Sequence, residues 1–540
     1  MRTRLLAALC FLLPSLAVAG DARCKGTPKA RAARFSEKAL KGKSPAERYA
    51  EYVRACSLDA VVELTKSLVR FKTVSSELPA AKSPEVAAMG RFLGQWAKMH
   101  GLAFRTVGDN EVFELSWGEG EPRLGLVFHG DVVPAPAHEW KKPPFEPYVE
   151  QGRLYGRGVE DDKGPLASTL VALAMAKELG LSPTQGRVLV IIGNGEESDW
   201  RGMVQYAETQ KPHPTHVISV DSNFPVVAAQ GGFVAWTLEA ALGPPPAQPT
   251  PGQLRAVDVS AGEFLTQVPG AAALKLEPAG MEPEKALAVM REAVTAVRTA
   301  RPSLRAEVKQ EGSRLVLTTH GTAVHASVAE EGANAMWDLA AIAAKLPLEP
   351  NGIEAMLRLV AERFDGDHWG EKLGMAYQDA LMGRLLVAPT VLRVKDGKVS
   401  LGVNMRRPQG KDSAAFHASL DEAAAQLERD SGGRVKELKG GEGGRYVGDP
   451  HVADTSGPLV TTLLDIYKRH RNAPDAKPQS VRGGTYARLF PRAVDFGPAF
   501  PGDLYMGHAP DESISLDNLD ATTRMVAEAL YTLALTPPAK

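Results

Sequence analysis

Residues 124–134 read Leu-Gly-Leu-Val-Phe-His-Gly-Asp-Val-Val-Pro, and the rest of the chain is best read outward from them. Leu124 to Phe128 is a short apolar run, the pattern of a strand buried on both faces. His129, Gly130 and Asp131 follow it at once. Open α/β sheets place their ligand crevice at the carboxyl ends of such strands, so polar chemistry begins where the apolar run stops.

The arrangement recurs downstream. Gly156-Arg157-Gly158 leads into Glu160-Asp161-Asp162-Lys163-Gly164, just ahead of a helical pattern over Gly164–Leu179. A strand pattern over 187–192 passes through Gly193-Asn194-Gly195 into Glu196-Glu197, and one over 217–220 ends at Asp221. With a helix expected over Ser83–Met99, strands and helices alternate from about Leu58 to Asp221, which predicts an α/β domain with a mostly parallel central sheet.

At 540 residues the chain is too long for one core, so a second domain is expected. Beyond the Pro-rich stretch 243–251, read as an inserted loop, helical patterns fall near 283–299, 332–345 and 412–429, and strands near 305–319 and 390–405. The Gly-rich cluster around 431–444 reads as the return crossing, and an amphipathic helix is expected from about Leu519 to Leu535. The resulting map is a signal at 1–19, an N-terminal extension at 20–57, a catalytic domain in two parts at 58–228 and 441–540, and an α+β lid at 229–440.

A net charge of -1 leaves no basic excess for nucleic acid, and no later segment has the long uncharged run of a membrane span. Arg2 and Arg4, the apolar run Leu5–Leu13 and Ala17-Val18-Ala19 have the form of a cleaved secretory leader. An exported, periplasmic protein is therefore expected. Besides Cys10 in the leader there are only Cys24 and Cys56. Export favours their pairing, but sequence supplies no separation, and two buried thiols remain the alternative.

Several carboxylates gathered at one crevice would repel one another unless cations neutralise them. A His/Asp/Glu set without thiolate suits zinc, with manganese or cobalt as substitutes. Any one of these short motifs is usually a solvated surface pair; their shared position after strands gives them weight.

Taken together, the motifs resemble the co-catalytic two-zinc family of carboxypeptidase G, acetylornithine deacetylase and succinyl-diaminopimelate desuccinylase, nearest its dipeptidase V branch. They are HGDVVP at 129–134, YGRGVEDDKGP at 155–165, GNGEES at 193–198, VDSNFPV at 220–226, GGTYAR at 483–488 and HAPDE at 508–512. The resemblance implies a zinc-exopeptidase-like catalytic domain with an inserted lid. It implies that His129 and Asp221 hold one Zn2+, that Glu197 and His508 hold a second, and that Asp161 bridges them through a cis Asp161–Asp162 peptide. Asp131 would hydrogen-bond the far nitrogen of His129. The residues alone leave open which of Glu196 and Glu197 is the base; the family order gives Glu196 as general base, acting on a metal-bridging hydroxide. His325, in GTAVHAS at 321–327, would donate to the oxyanion, while Arg406, Thr266 and Thr485 would contact substrate. His417 shares the His-Ala-Ser tripeptide but sits in a helical run and is read as a surface residue.

The chain departs from the resemblance in three places, one of them the Pro-rich stretch 243–251, which looks like an addition. Thr266 stands in Leu-Thr-Gln-Val-Pro where an asparagine is common, and Arg407 stands where a tyrosine is common. The implied activity is hydrolysis of dipeptides by a monomer. The alternatives are an N-acyl-amino-acid amidohydrolase or carboxypeptidase, and an inactive peptide-binding protein.

Overall fold

The computed structural model describes residues 21–248, 250–440 and 443–535. The expected leader lies outside them. Among the described residues two compact units emerge, one built from residues up to Val226, Thr461–Lys477 and Asp495 onward, the other from Val227–Val460 and Pro478–Val494. The second unit thus takes in 441–460 and 478–494, beyond the 229–440 drawn from sequence. The short strand Tyr446–Val447 pairs with Gly232–Ala241, and His451–Val452 and Gln479–Val481 pair with Val227–Gln230, which ties those stretches to it.

In the first unit the strands of the site-bearing part of the sheet are β1 (Ala103–Val107), β2 (Val112–Trp117), β3 (Pro122–His129), β4 (Arg187–Gly193) and β5 (His216–Ser219), ordered β1-β2-β4-β3-β5. The central β3 runs parallel to both β4 and β5, while β1 and β2 continue the sheet antiparallel. All but one residue of β3 is buried, as its apolar run requires. Helix Pro84–Met99 starts at the Ser83 cap with Pro84 in the first turn. Helix Lys163–Glu178 is buried on all sides for most of its length. Gly164 in its first turn has no substitute: a Cβ there would lie 2.1 Å from the Val159 carbonyl oxygen.

The N-terminal extension packs on this unit. Helix Pro45–Cys56 opens with a Ser44/Glu47 capping box. Tyr49 donates to the Ala172 carbonyl at 2.5 Å, and Arg31 and Tyr52 both reach Glu178, at 2.7 and 2.9 Å. Cys24 and Cys56 form a disulfide across 32 residues. Closing a loop of that length in the unfolded chain is worth about 3–4 kcal/mol. The Cys24→Ser/Cys56→Ser double variant should lose that much stability in urea unfolding followed by signals of this unit. Wild-type protein in reductant should match it.

The second unit is an antiparallel sheet with helices on one face. Its strands are β6 (Gly232–Ala241), β7 (Gln253–Ala261), β8 (Ala271–Ala279), β9 (Arg305–Glu311), β10 (Arg314–His320), β11 (Leu386–Lys395) and β12 (Lys398–Arg407), ordered β9-β10-β8-β7-β11-β12-β6. Alternation along β6 sends Val234, Trp236 and Leu238 into a core shared with Met290, Ile342, Met356 and Phe416 from the helices. Edge strand β9 carries Arg305, Glu307, Lys309 and Glu311 at alternate positions, the charge pattern that discourages strand addition. Among the described residues no helix is long and apolar enough to cross a membrane.

Candidate metal centre

Parallel β3, β4 and β5 deliver their following residues to one edge of the sheet, and the acids and imidazoles expected from sequence converge there. His129 ends β3, Glu196 and Glu197 follow the turn after β4, and Asp221 follows β5. Asp161 comes from the loop before helix Lys163–Glu178, and the Asp161–Asp162 peptide is cis, as expected.

Asp161 stands in the middle. Its Oδ1 lies 2.7 Å from His129 Nε2 and its Oδ2 lies 3.2 Å from His508 Nε2. His508 Nε2 is also 3.0 Å from Glu197 Oε1, and His129 Nε2 is 3.7 Å from Asp221 Oδ1. Two sets have ligand atoms within 4.8 Å of one another: His129, Asp161 and Glu197, and His129, Asp162 and Asp221. Asp162 was given no role by sequence. Its Oδ2 accepts from the His129 amide at 3.1 Å, while its Oδ1 is buried with no hydrogen-bond partner.

Asp131 departs from its expected contact. The far nitrogen of His129, Nδ1, is 2.9 Å from the Asp131 backbone carbonyl, and 3.6 Å from its carboxylate. A carbonyl only accepts, so Nδ1 carries the proton and, in the neutral ring, Nε2 presents its lone pair to the acids. The Asp131 carboxylate is occupied elsewhere. It accepts from the amides of Glu196 and Glu197, at 3.1 and 3.0 Å, and from Ser75 Oγ at 2.6 Å. Asp131 therefore fixes His129 with its backbone and the Glu196–Glu197 turn with its side chain.

Glu512, quoted within HAPDE but assigned nothing, pins the loop that carries Asp161. It is fully buried and accepts from the amides of Gly158, Glu160 and Asp161, at 2.8, 2.8 and 3.2 Å, and from Arg157 at 2.8 Å. Tyr505 donates its hydroxyl to Asp161 Oδ2. No local pattern announced either contact.

The electrostatics ask for positive charge. Burial, then the neighbouring Asp221 and Glu197, hold the Glu196 carboxyl well above its ordinary range. Burial and nearby acids likewise raise Asp162 and Glu197, and Asp221 is pushed up to about 7. For His129 burial opposes the charged form, but Asp221 and Asp161 outweigh it and the ring is held well above its ordinary value. His508 is raised in the same way by Asp161 and Glu197, moderated by solvent that reaches 54% of its side chain. Burial opposes the charge of Asp161, but His129 and His508 outweigh it and hold that carboxyl well below its ordinary range. An orphaned buried carboxylate oxygen among crowded acids and two imidazoles is a donor set that fits divalent metal.

The model of the peptidase family M20/M25/M40 matches residues 125–532, which span every residue of this centre. The chain belongs to that family. Two curated relatives each share 31% identity with it. One is YtjP of Bacillus subtilis (strain 168), aligned over 88% of this chain and 98% of the relative. The other is the Beta-Ala-Xaa dipeptidase of Lactobacillus delbrueckii subsp. lactis, aligned over 86% and 92%. Human carnosine dipeptidase 1 shares the fold, with a TM-score of 0.53 at 14% identity over 91% of this chain and 99% of that one.

The remaining expected site residues belong to the second unit, and each is described in its own surroundings. Exposed His325 caps the turn Ala326–Glu331. Thr266 is exposed and its carbonyl accepts from the Ala326 amide at 2.8 Å. Thr485 is buried, its hydroxyl accepting from Gln230 at 2.9 Å and from the Ala487 amide. Arg406 is buried, donates to Asn404 Oδ1 at 3.1 Å and to the Arg482 carbonyl at 3.4 Å, and stacks over Phe233. It forms no ion pair among the described residues, and burial, helped by Arg488, pushes it down to about 10. A buried guanidinium without a carboxylate has capacity for an anionic group. Arg407, the departure from a common tyrosine, pairs with Asp449 at 2.8 Å and is a structural cation of this unit. His417 lies half-buried within helix Ser413–Asp430.

Proposed function

We propose that this M20 peptidase is a metallodipeptidase holding two Zn2+, for which Mn2+ or Co2+ would substitute. One observation carries the reading: the two oxygens of Asp161 face different imidazoles, His129 at 2.7 Å and His508 at 3.2 Å. A carboxylate so shared is suited to bridge two cations. His129 and Asp221 would complete one set, His508 and Glu197 the other, with Asp162 close to the first.

Bound there, the cations supply a water that is acidic near neutral pH and polarise the scissile carbonyl. Glu196 is the acid of this group whose carboxylate makes no hydrogen bond or ion pair among the described residues, which supports its use as the base. It accepts the proton of the attacking water and returns it to the leaving amine. Asp131 aims it by holding its amide. In the second unit, we assign His325 as donor to the oxygen on which charge develops and Arg406 as clamp for the substrate carboxylate, with Thr266 and Thr485 as further substrate contacts.

The likeness to a Beta-Ala-Xaa dipeptidase at 31% identity supports dipeptides as substrates. Metal-replete protein should hydrolyse free dipeptides and spare their N-acetylated counterparts. The opposite preference would establish an amidohydrolase, and no turnover of either would leave a peptide-binding protein. The charged edge of β9 supports a monomer, which sedimentation tests. The leader pattern and the Cys24–Cys56 disulfide support export to the periplasm, to be tested by fractionation.

A further inference from the structure

We propose that Arg482 is a positioning residue for His325, holding the imidazole in the tautomer that donates from Nε2. The proposal rests on the role given to His325 above, and begins from the ring itself. The Ser327 amide donates to His325 Nδ1 at 3.2 Å, and Ser327 Oγ lies 2.6 Å from the same nitrogen. A backbone N–H is a donor and nothing else, so Nδ1 accepts and the proton of the neutral ring resides on Nε2. That is the form able to stabilise a developing oxyanion by hydrogen bonding.

Ser327 is the donor that sets this tautomer. The turn Ala326–Glu331 that carries it is broken internally at Val328, where φ is -127° and ψ is 38°, so it is not one continuous helical run. His325 itself is exposed, and its backbone bridges that of Gln267. Arg482 restrains the turn that carries Ser327. Its Nη1 donates to the Ser327 carbonyl at 3.2 Å and to the Glu330 carboxylate, gripping the turn at two points. The guanidinium lies 5.6 Å from the Trp369 ring, which limits its rotation. The backbone of the same residue holds Arg406, whose Nη1 donates to the Arg482 carbonyl at 3.4 Å. Arg482 thus ties the proposed oxyanion donor and the proposed carboxylate clamp to one point on the chain.

The test uses full-length, zinc-loaded protein labelled with 15N at histidine, with the His325 ring signals assigned by their absence in His325→Ala. Wild type should show Nε2 protonated and Nδ1 as acceptor. In Arg482→Ala the ring signals should move to a mixture of tautomers. Dipeptide kcat should fall about 10-fold or more with KM and zinc content unchanged, as expected when a catalytic group is misplaced rather than removed. Arg482→Lys, which keeps the charge but not the two-point grip, should recover part of both. Glu330→Gln weakens the grip without touching Arg482 and should reproduce the shift if Arg482→Ala does not fold. Unchanged ring signals in Arg482→Ala and Glu330→Gln would overturn the proposal whatever the turnover. Full activity of His325→Ala would instead remove the role of His325, leaving the ring signals to judge Arg482 separately.

Discussion

Glu196→Gln should lower kcat by about 10²- to 10⁴-fold while zinc content stays at the wild-type level, the loss typical of removing a positioned general base. The substitution preserves volume, and the backbone amide of residue 196 keeps its bond to Asp131, 3.1 Å in the native turn. The same Asp131 carboxylate holds the Glu197 amide, so the neighbouring proposed ligand stays in place. What disappears is a group able to accept a proton. Stopped assays on a free dipeptide, paired with metal analysis of the same sample, decide the matter. Turnover within a few-fold of wild type would remove Glu196 from the chemistry. Loss of zinc alongside loss of activity would make it a ligand.

Asp161→Asn should abolish measurable turnover and weaken binding of metal by more than about 100-fold, since even the loss of a residue that only supports a ligand costs 10- to 100-fold. An amide offers one oxygen and one NH2, so it cannot turn an anionic oxygen toward both His129 and His508 as the native carboxylate does. The loop should hold its course, because Glu512 grips it through backbone amides that the substitution leaves alone. Titration of metal into stripped protein gives the readout. Two undiminished binding events in this variant would show that Asp161 is not shared.

The site-bearing half of the fold was legible because its signals are local. The apolar stretches of β3, β4 and β5 are continuous, and each stops where chemistry begins, so the convergence of His129, Glu197 and Asp221 follows from parallel pairing alone. Contacts that depend on long-range choice were not legible. Nothing in HAPDE says that Glu512 receives three amides from a loop some 350 residues earlier. Nothing in HGD says that the Asp131 carbonyl, not its carboxylate, is the nearer partner of His129. Helix Gly352–Arg363 escaped the periodicity because its first six residues are all buried, which erases the polar face that marks a helix in sequence. The short strands that tie 441–460 and 478–494 to the second unit are two or three residues long, below what alternation can reveal.

The contacts of residues 508 and 512 bear on biosynthesis. The loop around residue 160 leaves the ribosome long before the acid that pins it or the imidazole that faces it has been translated. If the proposed centre is right, a product terminated short of residue 508 lacks one of its imidazoles and should show no turnover. On that reading, turnover would report a completed translation.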